Sequence, residues 1–166
     1  MNIEIRKADR KDFPFISELA LCSYSFGIPS QRLSETVIHE TLLREALDEL
    51  FKYYVTHSDI DILVAFDSEK EERAGYIMVL MNHQDQNTGE RQAFIHDLAV
   101  KRKYWGKYVV HRLIDAASKR AAEKGLRWLV GVVTRNNRRA LQTALKALDF
   151  EIERYQIMKN LKDDDY

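Results

Sequence analysis

A chain of 166 residues is long enough to bury a real core and short enough to form one domain. Its 45% hydrophobic and 31% charged content excludes a disordered polymer, and no apolar run approaches the roughly 20 residues of a bilayer-spanning helix. The zero net charge conceals an asymmetry: residues 1–97 hold 10 Lys/Arg against 18 Asp/Glu (−8), and residues 98–166 hold 16 against 8 (+8). Such halves describe either two solvated faces or a basic side for a polyanion and an acidic side for a cationic substrate. The first residues, MNIEIRKADRKDF, are charged and read as a strand rather than a leader. One cysteine, Cys22, excludes an internal disulfide and a cysteine-only metal site, and its setting ISELALCSYSF predicts a buried small hydrophobe. We therefore expect a cytoplasmic protein with no membrane association.

Residues 2–8 alternate Ile3 and Ile5 with Glu4 and Arg6, which predicts a half-buried strand. Asp9 is the expected N-cap of a helix carrying Phe13, Ile16, Leu19 and Ala20, with Asp12 in its first turn and Pro14 tolerable near its start. Gly27, Pro29 and Ser30 break the chain. A longer helix is expected over 34–56, with Ile38, Leu43, Leu47, Leu50 and Tyr54 on one face and Glu40, Glu45, Asp48 and Glu49 on the other. Residues 61–66 and 74–81 predict hairpin-paired strands, the second apolar on both faces and so central. A polar connection over 82–91, with Asn87-Thr88-Gly89, leads to the next strand.

The stretch 93–112, AFIHDLAVKRKYWGKYVVHR, joins that strand to a basic, glycine-containing turn and then a helix with Val109, Val110, Leu113, Ile114, Ala117 and Ala121 inward. Strand, turn and helix N-terminus bring unpaired amides and a positive dipole end to one place, which suits an anion. Gly125 closes the helix. A buried strand is expected over 126–134, and a short helix over 135–148 opened by Asn136-Asn137, with Ala140, Leu141, Ala144, Leu145 and Leu148 inward. A final strand over 150–161 alternates Ile152, Tyr155 and Ile157, and 162–166 is an acidic tail expected to fray. The order β α α β β β α β α β is that of an α/β or α+β sheet covered by helices.

With these residues on it, that order resembles the GNAT superfamily of acetyl-CoA-dependent N-acetyltransferases. Arg6-x-Ala8-x-x-x-Asp12-x-x-x-Ile16-x-x-Leu19 is similar to the family's first strand and helix, and Asp97-Leu98-Ala99-Val100 to the end of its fourth strand. The run Tyr104-Trp105-Gly106-Lys107-Tyr108-Val109-Val110 falls where the family carries its glycine-rich pyrophosphate loop. Asn137-x-x-Ala140 and Leu148-Asp149-Phe150 resemble its late Asn-x-x-Ala and Leu-Gly-Phe segment. One loop glycine is kept, Gly106, while Tyr108 and Val110 replace the next two small residues, which is expected to loosen or reposition CoA. In a second register Lys103 takes the role of the family's arginine and Gly106 that of its first glycine.

The resemblance implies one acetyltransferase-like domain over 1–161, built on a mixed, largely antiparallel sheet of six to seven strands flanked by about four helices. It implies acetyl-CoA as co-substrate, an amine acceptor, and a possible homodimer through sheet edges or late strands. The expected cofactor-binding set is Leu98, Ala99 and Val100, whose backbone would polarise the acyl carbonyl, Trp105, Gly106, Lys107, Tyr108, Val109 and Val110 around the diphosphate, and Asn137. Lys101, Arg102, Lys103, Arg135, Arg138 and Arg139 are the basic residues at hand.

His96 sits where relatives often place a glutamate base, and an ordinary imidazole, pKa about 6.5, suits the removal of an ammonium proton near pH 7. Strand alternation would turn Asp97 to the opposite face from His96. Tyr155 is the expected acid, with Tyr108 and Tyr104 as alternatives. His39, His57 and His83 lack ligand-like spacing, so no metal is expected. The alternative readings are a non-catalytic acyl-CoA sensor or protein-interaction module, and nucleic-acid binding through 101–107 and 135–139, which the zero net charge disfavours.

Overall fold

The structure is a computed structural model that describes residues 1–33 and 40–160. Residues 34–39, including Ile38 of the expected long helix, and the expected tail at 162–166 lie outside the described residues. Five strands form one sheet in the order β1 (Ile3–Lys7), β2 (Ile60–Asp67), β3 (Glu72–Gln84), β4 (Arg91–Val100), β5 (Leu129–Gly131). Neighbours from β1 to β4 run antiparallel; β5 runs parallel to β4 over three residue pairs. The helices are α1 (Phe13–Ser23), the single turn α2 (Ser30–Leu33), α3 (Glu40–Thr56), α4 (Val109–Glu123) and α5 (Arg138–Ala147).

The period-2 pattern of the central strands divides the core between two faces. Leu63 and Ala65 of β2 with Ile77 and Val79 of β3 pack against Val109, Leu113, Ile114 and Ala117 of α4. Ile62, Val64, Tyr76 and Met78 face Ile16 of α1 and Phe51 of α3. β3 is the middle strand, as its doubly apolar sequence predicts. At Gly75 an added Cβ would lie 2.7 Å from the Ala99 carbonyl oxygen, so the β3–β4 approach there excludes a side chain. α4 closes as expected: Gly125 has φ +73, and the Gly125 and Leu126 N–H groups donate to Ala122 and Ala121.

Asp9 caps the 3-10 turn Arg10–Asp12 in a reciprocal capping box with Asp12. Asp12 is itself buried, and its carboxylate accepts from Arg6 on β1 at 2.6 and 2.9 Å and from Arg73 on β3 at 2.6 Å. Burial alone would raise this carboxyl; the bonds from Arg6, the Asp9 amide and Arg73 outweigh it and hold the group down at about 2.

Several expectations fail at the outer layer. The described residues form five strands, not six to seven. The expected strand at 126–134 reduces to Leu129–Gly131, with Val132 and Val133 exposed. Residues 151–160 form no strand, and all are exposed. Apolar alternation yields a strand only beside a partner, and β5 is the last strand of the sheet. α5 is amphipathic but buries none of its residues fully, and Leu145 is exposed. Cys22 is exposed, because the buried stripe of α1 runs through Phe13, Ile16 and Ala20 and position 22 falls on its outer side.

Candidate active site

β4 carries the decisive irregularity. In its register with β3, Met78 pairs with Asp97 and Val79 with Ile95, so His96 is an extra residue in a β-bulge. A bulge interrupts alternation. Ile95 and Leu98 therefore both pack on the α4 side, and Asp97 turns towards Tyr76 on the α1–α3 side. The regular strand alternation expected for His96 and Asp97 is broken at this bulge. His96 is exposed.

The Tyr76 hydroxyl donates to Asp97 Oδ2 at 2.5 Å, and Tyr76 is wholly buried. Burial pushes the Asp97 carboxyl up, against the lowering effects of the Tyr76 hydroxyl, the Leu98 amide and the nearby His96. Burial and then the Asp97 charge raise the Tyr76 hydroxyl as well. Sequence reasoning missed this pair. Its signal was a tyrosine within the apolar run AGYIMVLM and an aspartate within FIHDLAV, two polar groups that must find partners if buried.

On its other side β4 pairs with β5 only from Ala93 to Ile95, opposite Leu129 to Gly131. Beyond that point the strand continues to Val100 along β3 alone, which leaves Leu98, Ala99 and Val100 without a strand partner on the β5 side among the described residues.

β4 leads directly into the basic loop. Its 3-10 turn, Arg102–Tyr104, is fixed from below: Tyr104 is buried, and its hydroxyl lies 2.5 Å from Glu72 and 2.9 Å from Asp67. Burial, followed by those two carboxylates, raises the Tyr104 hydroxyl, so it is committed to structure. Lys103 donates to Glu72 at 2.6 Å, and the Lys103 and Tyr104 bonds hold the Glu72 carboxyl at about 2. Lys103 is thus engaged away from the expected phosphate role.

Trp105 is fixed from above: its indole N–H donates to the Val100 carbonyl at 2.8 Å, and the Arg139 guanidinium stacks 4.3 Å from its ring. Gly106 has φ +74, with nothing within 4 Å of an added Cβ. Tyr108 precedes α4 at φ +60, with its side chain 73% exposed. No side chain caps the start of α4 and its first turn holds no acid, so the amides of Val109 and Val110 begin a helix whose positive end is uncompensated. Val109 is buried and Val110 half-buried in the core beside α4. Lys107 lies 5.6 Å from the Tyr104 ring.

The remaining expected residues lie elsewhere. Asn137 caps α5, its side-chain oxygen accepting from the Ala140 amide at 3.3 Å. Thr134 and Asn136 donate to the Phe26 and Ile28 carbonyls, which ties the start of α5 to the turn after α1. Tyr155 is 83% exposed on the unpaired segment 151–160. Among the described residues no cluster of His, Cys, Asp or Glu could hold a metal ion, and no described helix is long and apolar enough to cross a membrane.

Solved structures with the same architecture include the BH1408 protein from Bacillus halodurans (TM-score 0.79, 17% identity, 95% of this chain and 99% of that one). The aminoglycoside N-acetyltransferase AAC(6')-Iy, bound to a bisubstrate analog, aligns with a TM-score of 0.74 at 15% identity over 96% of this chain and 98% of that one. Glucosamine-6-phosphate N-acetyltransferase from Arabidopsis thaliana aligns with a TM-score of 0.65 at 14% identity over 97% and 99%. At such identities the likeness shows the fold. No curated protein sequence matches the chain. The model of the acetyltransferase (GNAT) family matches residues 16–150, from the middle of α1 to the end of the α5 connection, and the chain belongs to that family of acetyltransferases.

Proposed function

We propose that the chain transfers the acetyl group of acetyl-CoA to a primary amine, on a small molecule or a protein, by direct attack beside the edge of β4 that β5 leaves unpaired past Ile95. The observation that carries this reading is the uncapped start of α4, one loop beyond the free edge of β4, with no acid in its first turn. That arrangement fits a diphosphate: the backbone from Trp105 to Val110 turns through Gly106 without a Cβ in the way. The Trp105 N–H is occupied at Val100 while the Tyr108 ring stands in solvent. Arg102 and Lys107 supply positive charge beside it.

Acetyl-CoA brings a thioester whose carbonyl carbon accepts the amine and whose thiolate departs. The chain's part is to bind, polarise and deprotonate. Backbone amides along Leu98, Ala99 and Val100 would hydrogen-bond the acyl oxygen, a donor aimed at developing charge contributing about 3 kcal/mol. An ammonium of pKa about 10.4 must lose a proton before it attacks. His96 is the proposed base, held outward by the bulge with the Asp97 carboxyl close enough to feel its charge. A thiol of pKa about 8.5 leaves near neutrality with little help, so Tyr155 as proton donor is an optional part of the scheme.

The test is thiol release from acetyl-CoA over a panel of amines. Aminoglycosides and glucosamine 6-phosphate come first, because two structural neighbours are named for acting on them. Turnover supports the enzyme; binding without turnover across a broad panel supports the sensor reading instead. His96→Ala should lower turnover about 100-fold below the amine pKa and leave CoA affinity unchanged. Equal turnover at every pH would make His96 structural.

A further inference from the structure

At the end of the molecule opposite the basic loop, strands and helices enclose a cavity of about 440 Å³ that the acyl-transfer reading does not use. α4 runs for 15 residues, about 22 Å, from the loop to Lys124 just past its end, and Lys124 lines the cavity. The other walls are the end of β1 at Lys7, the turn that follows it, the last residues of α3 and the start of β2. Its volume is that of a small-molecule site.

The apolar part of the lining is held in place before any ligand arrives. Ile60 is buried, and the Phe13 ring stacks on Phe51 at 4.2 Å and meets Tyr54 edge-on at 6.3 Å. The Tyr54 hydroxyl donates to the Ala8 carbonyl at 3.0 Å, which fixes that ring as well. Val55 lines the same cavity and stands 48% exposed.

The polar part has a sign. Lys7, Arg10 and Lys124 line the cavity with Asp9 and Asp61, and both acids are already answered. Asp61, buried, accepts from Arg120 at 2.5 and 3.1 Å and lies 3.6 Å from Lys7. Asp9 accepts from the Lys11 amide at 2.7 Å. Among the described residues Arg10 and Lys124 have no carboxylate partner, and Lys124 reaches the Ser58 carbonyl at 2.5 Å. The ends of α3 and α4 border the cavity and by themselves favour a cation, but their carbonyls are taken. The Thr56 hydroxyl and His57 amide bond those of Lys52 and Tyr53, and the Lys124 and Gly125 amides bond those of Arg120, Ala121 and Ala122. What is left is two unanswered cations beside a fixed apolar surface.

We propose that this cavity binds a small organic anion, a carboxylate or phosphate monoester on an aromatic or branched body. Arg10 and Lys124 hold the charged head, and the body lies against Phe13, Val55 and Ile60. An inorganic anion would leave the apolar lining wet, and a neutral apolar molecule would leave the two cations unanswered. The guanidinium fork of Arg10 suits either head. The inference is independent of the acyl-transfer reading, since none of these residues belongs to β4 or the basic loop.

The test is a titration of the full chain followed by amide chemical shifts, with 3-phenylpropionate and phenyl phosphate as probes. Whichever head is preferred should give saturable shifts at residues 7–13 and 54–61, with a dissociation constant of about 1 mM or tighter. Acetate and inorganic phosphate, which lack the body, and benzyl alcohol, which lacks the charge, should bind at least about tenfold more weakly. Arg10→Ala combined with Lys124→Ala should weaken the preferred probe at least about tenfold. If that variant misfolds, Val55→Glu stands in its place: it sets a carboxylate at an exposed position of the lining and should have the same effect. Shifts confined to 101–110, an equal response to acetate, unchanged affinity in a folded variant, or no saturable shift up to about 10 mM would overturn the proposal.

Discussion

Among the described residues three side chains sit on left-handed backbone, where glycine costs least: Glu71 at φ +53 in the turn between β2 and β3, and two beside helices, Tyr108 at φ +60 before α4 and Asp149 at φ +55 after α5. Asp149 is tolerable, since a short polar side chain suits that region. Tyr108 is bulky and gains little burial in return. Tyr108→Gly should therefore be neutral or raise stability by about 0.5 kcal/mol in a thermal melt, and should not weaken CoA binding. A loss above about 1 kcal/mol would mean that the ring packs in a way its exposure does not suggest. Both positions match family glycines in the sequence, so the backbone geometry was legible even where the residues departed from it. What could not be read was the direction of the Tyr108 ring, which points to solvent rather than crowding the loop.

Single contacts between elements decide how the scaffold is held. Asp12, at the entry to α1, gathers Arg6 from β1 and Arg73 from β3 around one buried carboxylate. Asp12→Ala would leave two guanidinium groups without their acceptor; since both are partly exposed, the loss should be about 2 kcal/mol, measured by denaturant unfolding. The sign of its pH dependence follows from a folded value depressed to about 2. The stabilisation is present above the unfolded pKa of about 4, and is lost as pH falls through 4 towards 2. The wild type should lose stability over that window more steeply than Asp12→Ala. α4 was legible because five buried positions recur at helical spacing, from Val109 to Ala121. The bulge at His96 was not, since one extra residue leaves an apolar strand looking regular while it reverses which face Asp97 meets. The last two expected strands failed for another reason: periodicity records a residue's suitability for pairing, not whether a neighbour lies beside it.

At the scale of the molecule, the opposed charges of the two halves resolve into local pairings more than into fields. On α3, Glu40 bonds Arg44 and Glu49 bonds Lys52, both at the surface, so these acids serve as solvated pairs. On the basic side, Lys103 is bound to Glu72 and Arg139 to the Trp105 ring. The start of α4 keeps its positive end uncompensated. The measurement that bears most directly on the account is calorimetric titration of the protein with acetyl-CoA, repeated on Gly106→Val. The wild type should bind, and the variant, forced out of φ +74, should bind at least about tenfold more weakly with its fold intact. No heat of binding at millimolar acetyl-CoA, or equal affinity in the two proteins, would contradict the claim that these amides cradle the cofactor.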